Sequence, residues 1–165
     1  SYELNHYILG KVAWDPAVNV DSLILDFCLA RFGPYAARIG EIYSTLERTV
    51  PRFGSVSYTK LKSAAEIKAA TAVISKAKTS VESDLKQEKN PVYQAALKRL
   101  VLVLGYTEYD LQIQTLRAGA GSQEAIFNNV STLLGYLQAH RDEGVFLLKT
   151  KDPVVLMRRQ YTKLY

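Results

Sequence analysis

The residues from which this 165-residue chain could build chemistry are two histidines, sixteen acids, one cysteine and a scatter of serines. His6 lies among Leu4, Tyr7 and Ile8, and His140 precedes Arg141 and Asp142. Neither has the i, i+4 partner or the cysteine-rich company of a metal site, so both read as ordinary helix histidines. Glycoside hydrolysis needs two carboxylates set across a sugar. Here Glu108 with Asp110, Asp21 with Asp26 and Glu41 with Glu47 all miss the spacing that shares a helix face. They read as solvated surface acids. Ser44, Ser55, Ser57, Ser122 and Ser131 lack the G-x-S-x-G setting of a nucleophile elbow. "GAGS" (residues 119–122) has neither the Gly-Lys-Ser/Thr that completes a phosphate loop nor a strand before it, and reads as a turn. No catalytic, cofactor-binding or metal-ligating set emerges.

The remaining candidates are packing residues. Cys28, between Phe27 and Leu29, reads as a buried thiol, and a lone cysteine excludes an internal disulfide. Tyr2, Tyr7, Trp14, Tyr106 and Tyr109 could stack on sugars or dock a partner, but aromatic residues at helical spacing more often line a core. Trp14, at the end of the first helix, is the expected exception and should pack where that helix meets a neighbour.

The elements that position these residues are helices. Leu4, Tyr7, Ile8, Lys11 and Val12 recur as one helical face, and Pro16 ends that helix by disfavouring helical geometry at Asp15. A helix so near the start, with no methionine ahead and no strong cap, reads as the continuation of a larger chain. Asn19 can cap a second helix, "VDSLILDFCLARF". It is apolar on two sides: Val20, Leu23, Ile24 and Phe27 on one, Leu25, Cys28, Leu29 and Phe32 on the other. Such a helix must be covered on both. Gly33-Pro34 stops it and starts a third, with Tyr35, Ile39, Ile42, Tyr43, Leu46 and Val50 as its stripe. "TVPRFGSVSYT" is the best internal boundary.

Beyond it, Ser63 and Glu66 form a capping box, followed by Ile67, Ala70, Ile74, Ala77, Val81 and Leu85. After the "NP" break a helix from Pro91 carries Tyr93, Leu97, Leu100, Leu104, Leu111 and Ala118. Its centre "LVLVLGY" predicts burial all round, with Gly105 admitting a close neighbour. Ser122 caps a sixth helix to Arg141, with Ile126, Val130, Leu133, Leu134 and Leu137, and a short helix follows Pro153. The expectation is one all-α domain over 1–165, with six to seven helices. Residues 1–50 form a leading group and 59–165 a bundle built on a long antiparallel hairpin.

Residues 1–60 balance six basic against six acidic side chains, while 61–165 carry fifteen against ten and supply the net +5. Lys149, Lys151, Arg158, Arg159 and Lys163 make the end basic, a cluster read as solvated charge rather than a nucleic-acid surface. The longest apolar run, Leu100 to Leu104, is far short of the ~20 residues that span a bilayer. No signal peptide is visible.

With these residues in view, "YILGKVAWDPAVNVDSLILDFCLARFGPYAARIGEIY" (residues 7–43) resembles the segment that follows the catalytic barrel in α-glucuronidase-like proteins and related glycoside-hydrolase-like bacterial proteins. The likeness rests on an aromatic-rich helix ending in "AWDP" (Ala13 to Pro16), the "VNVDSLILDF" helix start and "FGPYA" (Phe32 to Ala36). Over the later hairpin, "AEIKAATAVISKAKTSV" and "ALKRLVLVLGYTEYDL", the similarity is one of pattern. The resemblance implies a helical C-terminal accessory domain, flanking a (β/α)₈ barrel that lies upstream and holds the catalytic carboxylates. No residue here matches those carboxylates, so the domain itself is expected to be inactive and to need no cofactor. It further implies docking on the barrel and a share in homodimer formation; Tyr2, Tyr7 and Trp14 are the candidate docking residues. A stand-alone helical protein-interaction module is the alternative, with a nucleic-acid binder behind it. The compartment stays open, a secreted or periplasmic parent being compatible.

Overall fold

The structure, a computed structural model, describes residues 2–49, 63–119 and 121–143. Among them it is all-α: α1 (Tyr2–Trp14), α2 (Val20–Phe32), α3 (Ala36–Thr49), α4 (Ala64–Gln87), α5 (Pro91–Ala118) and α6 (Gln123–Ala139). Short 3₁₀ turns at Gly33–Tyr35 and Arg141–Glu143 complete the order, and no strand forms among the described residues. All of the boundary loop expected at 49–59 except Thr49, together with the helix expected after Pro153 and the basic end, lies outside the described residues.

Local chemistry sets the helix starts. The Asn19 side chain accepts from Ser22 N at 3.0 Å, and Ser122 Oγ accepts from Ala125 N at 3.1 Å. Ser63 and Glu66 make both halves of a capping box, each satisfying a backbone amide that the first turn leaves free. Asn90, which was not singled out in the sequence, caps α5 by accepting from Val92 N ahead of Pro91. Gly33 closes α2 with its amide on Leu29 O and a φ of +53°, a conformation L residues rarely adopt. It also has no room for a side chain, because a Cβ there would stand 2.5 Å from the Tyr93 ring.

α4 and α5 form the long antiparallel hairpin: Ser75 and Lys78 both reach Glu108, while Ala64 meets Gly119 at the far end. The α4 stripe Ile67, Ala70, Ile74, Ala77 and Val81 is buried against Leu97, Leu100, Leu104 and Leu111 of α5. Cys28 and Phe32 of α2 and Ala36 and Ile39 of α3 close the same core. Full burial of one such Leu or Ile stabilises by about 1.5–3 kcal/mol.

α6 lies on the opposite side of α5, where Leu133 and Leu137 bury Ile113, with Tyr106 and Tyr109 partly covered. Leu102, Tyr106, Tyr109 and Ile113 share one helical face at i, i+4, i+7 and i+11. α5 is thus a wall between two apolar layers, the physical reason for its all-round hydrophobic centre. The backbone comes close enough at Gly105 for the Tyr136 hydroxyl to donate to Leu102 O at 2.9 Å.

Candidate functional site

α1 and α2 form a second antiparallel hairpin on the flank of the core. The Tyr7 hydroxyl donates to Asp26, and its ring packs on Phe27 with centroids 5.7 Å apart. Glu3 pairs with Arg31 of α2 at 3.3 Å and with Arg99 of α5 at 3.5 Å. Leu4 is buried beneath these contacts. The hydrogen bond to the Asp26 carboxylate holds the Tyr7 phenol above its ordinary pKa, with desolvation adding to it. The hairpin tip is fixed by backbone geometry: Asp15 N donates to Lys11 O, and Ala17 N donates to the Asp15 side chain.

This arrangement leaves large apolar side chains in solvent. Trp14 is 90 % exposed and Leu9 66 %, while on α2 Leu29 is 54 % and Leu25 49 % exposed. The Tyr7–Asp26 and Glu3–Arg31 contacts set the hairpin register, which places Leu9 level with Leu25 and Trp14 level with Val20, also exposed. Leu25 and Leu29, four apart, stand one above the other on the outer face of α2.

The expectation that both sides of α2 are covered therefore fails: Val20 on one side and Leu25 and Leu29 on the other stand exposed. Cys28 and Phe32, grouped by sequence with Leu25 and Leu29, turn instead into the core, because α2 buries an arc wide enough to include them. Leu25 and Leu29 fall outside it.

The three residues expected at a docking face part company. Trp14 is free of its own chain's core, whereas Tyr7 is engaged within the hairpin, by Asp26, Phe27 and the Lys11 ammonium 5.5 Å from its ring centre. Tyr2 opens α1, and its side chain lies outside the described residues. Tyr106 and Tyr109 are half-buried against α6, and burial pushes the Tyr106 phenol up to about 12. Three exposed apolar residues went unnoticed in the sequence, Leu9 on α1, Val92 at the start of α5 and Phe127 on α6.

Groups with catalytic potential are held in structural roles. Burial pushes the Cys28 thiol up to about 11, which leaves it unreactive near neutral pH. Glu108 accepts from Ser75 and pairs with Lys78 at 3.1 Å, tying α4 to α5. The Lys78 ammonium keeps a pKa above its ordinary value. Burial acts against this as the largest influence, but the hydrogen bond and charge of Glu108, aided by Glu82, more than offset it. A proton-holding lysine beside a serine that already donates to a carboxylate is no nucleophile-activating base. His140 packs edge-on to Tyr136 with centroids 4.7 Å apart. Among the described residues no three His, Cys, Asp or Glu converge on a metal position. No described helix is long and apolar enough to cross a membrane.

The outer face of the leading hairpin thus gathers most of the exposed large apolar side chains among the described residues, and it falls within the segment at 7–43. No family model, curated protein or solved structure matches the chain.

Proposed function

We propose that this chain is a non-catalytic helical accessory domain of a glycoside-hydrolase-like carbohydrate-active protein, bracing a catalytic barrel through the α1–α2 hairpin. The observation that carries the reading is the exposure of Trp14, Leu25 and Leu29, in the same 7–43 segment that resembles the region after the barrel in α-glucuronidase-like proteins. Covering an exposed tryptophan and a leucine pair supplies the apolar centre that a docking face needs. The roles of Glu108, Lys78 and Cys28 as packing and tie residues fit a domain that leaves chemistry to its neighbour.

Hydroxyl-radical footprinting tests the proposal. In the isolated chain Leu9, Trp14, Leu25 and Leu29 should oxidise readily, and in the barrel-containing parent protein Trp14 and the α2 pair should be protected. Trp14→Ala should weaken docking by about 2 kcal/mol or more, as expected of a central aromatic anchor. Equal oxidation of these residues in both forms, or glycoside turnover by this chain alone, removes the proposal.

The second reading, a helical protein-interaction module, draws on the same exposed residues. It expects protection only when a separate protein is added. A homodimer would instead show protection that grows with the chain's own concentration.

A further inference from the structure

Asp84 occupies an unusual place for a carboxylate. It is 3 % exposed, in the last turn of α4, where the helix dipole disfavours negative charge. One oxygen, Oδ1, forms an ion pair with Arg38 Nη1 of α3 at 2.8 Å. The other, Oδ2, is buried with no hydrogen-bond partner among the described residues.

Arg38 is half-exposed, with its guanidinium 5.9 Å from the centre of the Tyr35 ring. The other groups that act on this corner are Tyr35 itself, whose phenol feels the charge of Asp84, and Glu88, in the α4–α5 turn and hydrogen-bonded to Tyr35. Arg38 is therefore the one cation among the described residues that acts on Asp84, and it spends half its surface in water, which weakens its hold on a buried charge.

We propose that the buried Asp84 carboxyl makes the α3–α4 junction a pH-responsive latch, firmer when Asp84 is protonated, because the fold takes this carboxylate out of water and sets a cation against only one of its oxygens. A buried, unmatched anionic oxygen costs more than a neutral carboxyl, and removing that cost on protonation outweighs the Coulombic attraction to half-exposed Arg38 that is given up.

Burial raises the Asp84 pKa above the ordinary aspartate value and outweighs the opposing pull of Arg38. A carboxyl whose folded pKa lies above its unfolded one contributes stability that is complete below the unfolded value. That contribution is lost as pH rises through the folded value. The latch is firm in acid and loosens toward neutrality. Glu143 runs the other way: the Lys98 hydrogen bond lowers its pKa, so its contribution is lost on acidification.

The test compares urea midpoints of the whole chain and its Asp84→Asn variant from pH 7 to pH 4, alongside a carboxyl-carbon NMR titration of the unaltered chain. Asn mimics the protonated group, and the comparison cancels Glu143 and every other shared carboxylate. At pH 7 the Asn variant should have the higher midpoint, an advantage that vanishes in acid; equal midpoints at every pH overturn the latch. The Asp84 signal should show its inflection above the ordinary aspartate range. A variant that loses midpoint at pH 7 and recovers it in acid, or an inflection at or below the ordinary range, overturns the latch. If the variant does not fold, the titration decides alone.

Discussion

Gly105→Ala isolates one contact on which the seating of α6 depends. A methyl at this position would stand 2.5 Å from the Tyr136 hydroxyl oxygen and 3.0 Å from the ring carbon that bears it. Three effects compete. Alanine gains about 1 kcal/mol over glycine in a helix interior. Overpacking against a ring costs about 1–3 kcal/mol. Displacing the hydroxyl also breaks its bond to Leu102 O, at about 1 kcal/mol. The clash and the lost bond outweigh the propensity, and the net loss is about 2 kcal/mol.

Tyr136→Phe alone forfeits only the hydrogen bond, about 1 kcal/mol. In that background the nearest atom is the ring carbon, which a small tilt relieves, so adding Gly105→Ala should be close to neutral. The double-mutant cycle, read by urea unfolding with far-UV circular dichroism, should therefore show a coupling of about 2 kcal/mol. Additive losses would mean that Tyr136 does not sit over Gly105 and that α6 is placed differently.

Two further outcomes follow from the core. Gly33→Ala forces a methyl into the Tyr93 ring at a positive φ, and should cost about 2–4 kcal/mol, read from the urea midpoint. Cys28 is fully buried with its thiol pushed up to about 11, so at pH 8 a thiol reagent should label the native chain at least ~100-fold more slowly than the urea-unfolded one; equal rates would place Cys28 outside the core. The same raised value means that ionisation disfavours the fold, and stability should fall as pH rises from the ordinary thiol value toward 11.

The core stripes were legible because a packed helix repeats its apolar residues every three or four positions, and Ile67, Ala70, Ile74, Ala77 and Val81 keep that step into the interior. Asp84 shows where the pattern misleads. The step after Val81 can fall on Asp84 or Leu85, and hydrophobicity favours Leu85, yet Asp84 takes the more buried position. An acid on a core register is the signal that could have revealed it. Its partner Arg38, forty-six positions away, belongs to no local pattern. The outward turn of Leu25 and Leu29 was hidden for a related reason: α2 is apolar on two sides, so periodicity alone could not say which arc faces the core.

What this sequence determines by itself is the set of helices and their ends, since caps such as Asn19, Ser63 and Ser122 and breaks at Pro16, Gly33 and Pro91 act within a few residues. Which faces meet is decided by tertiary structure alone. Burial is shared among helices distant along the chain, and only their assembly leaves Trp14 in water, brings Arg38 to Asp84 and seats Tyr136 over Gly105.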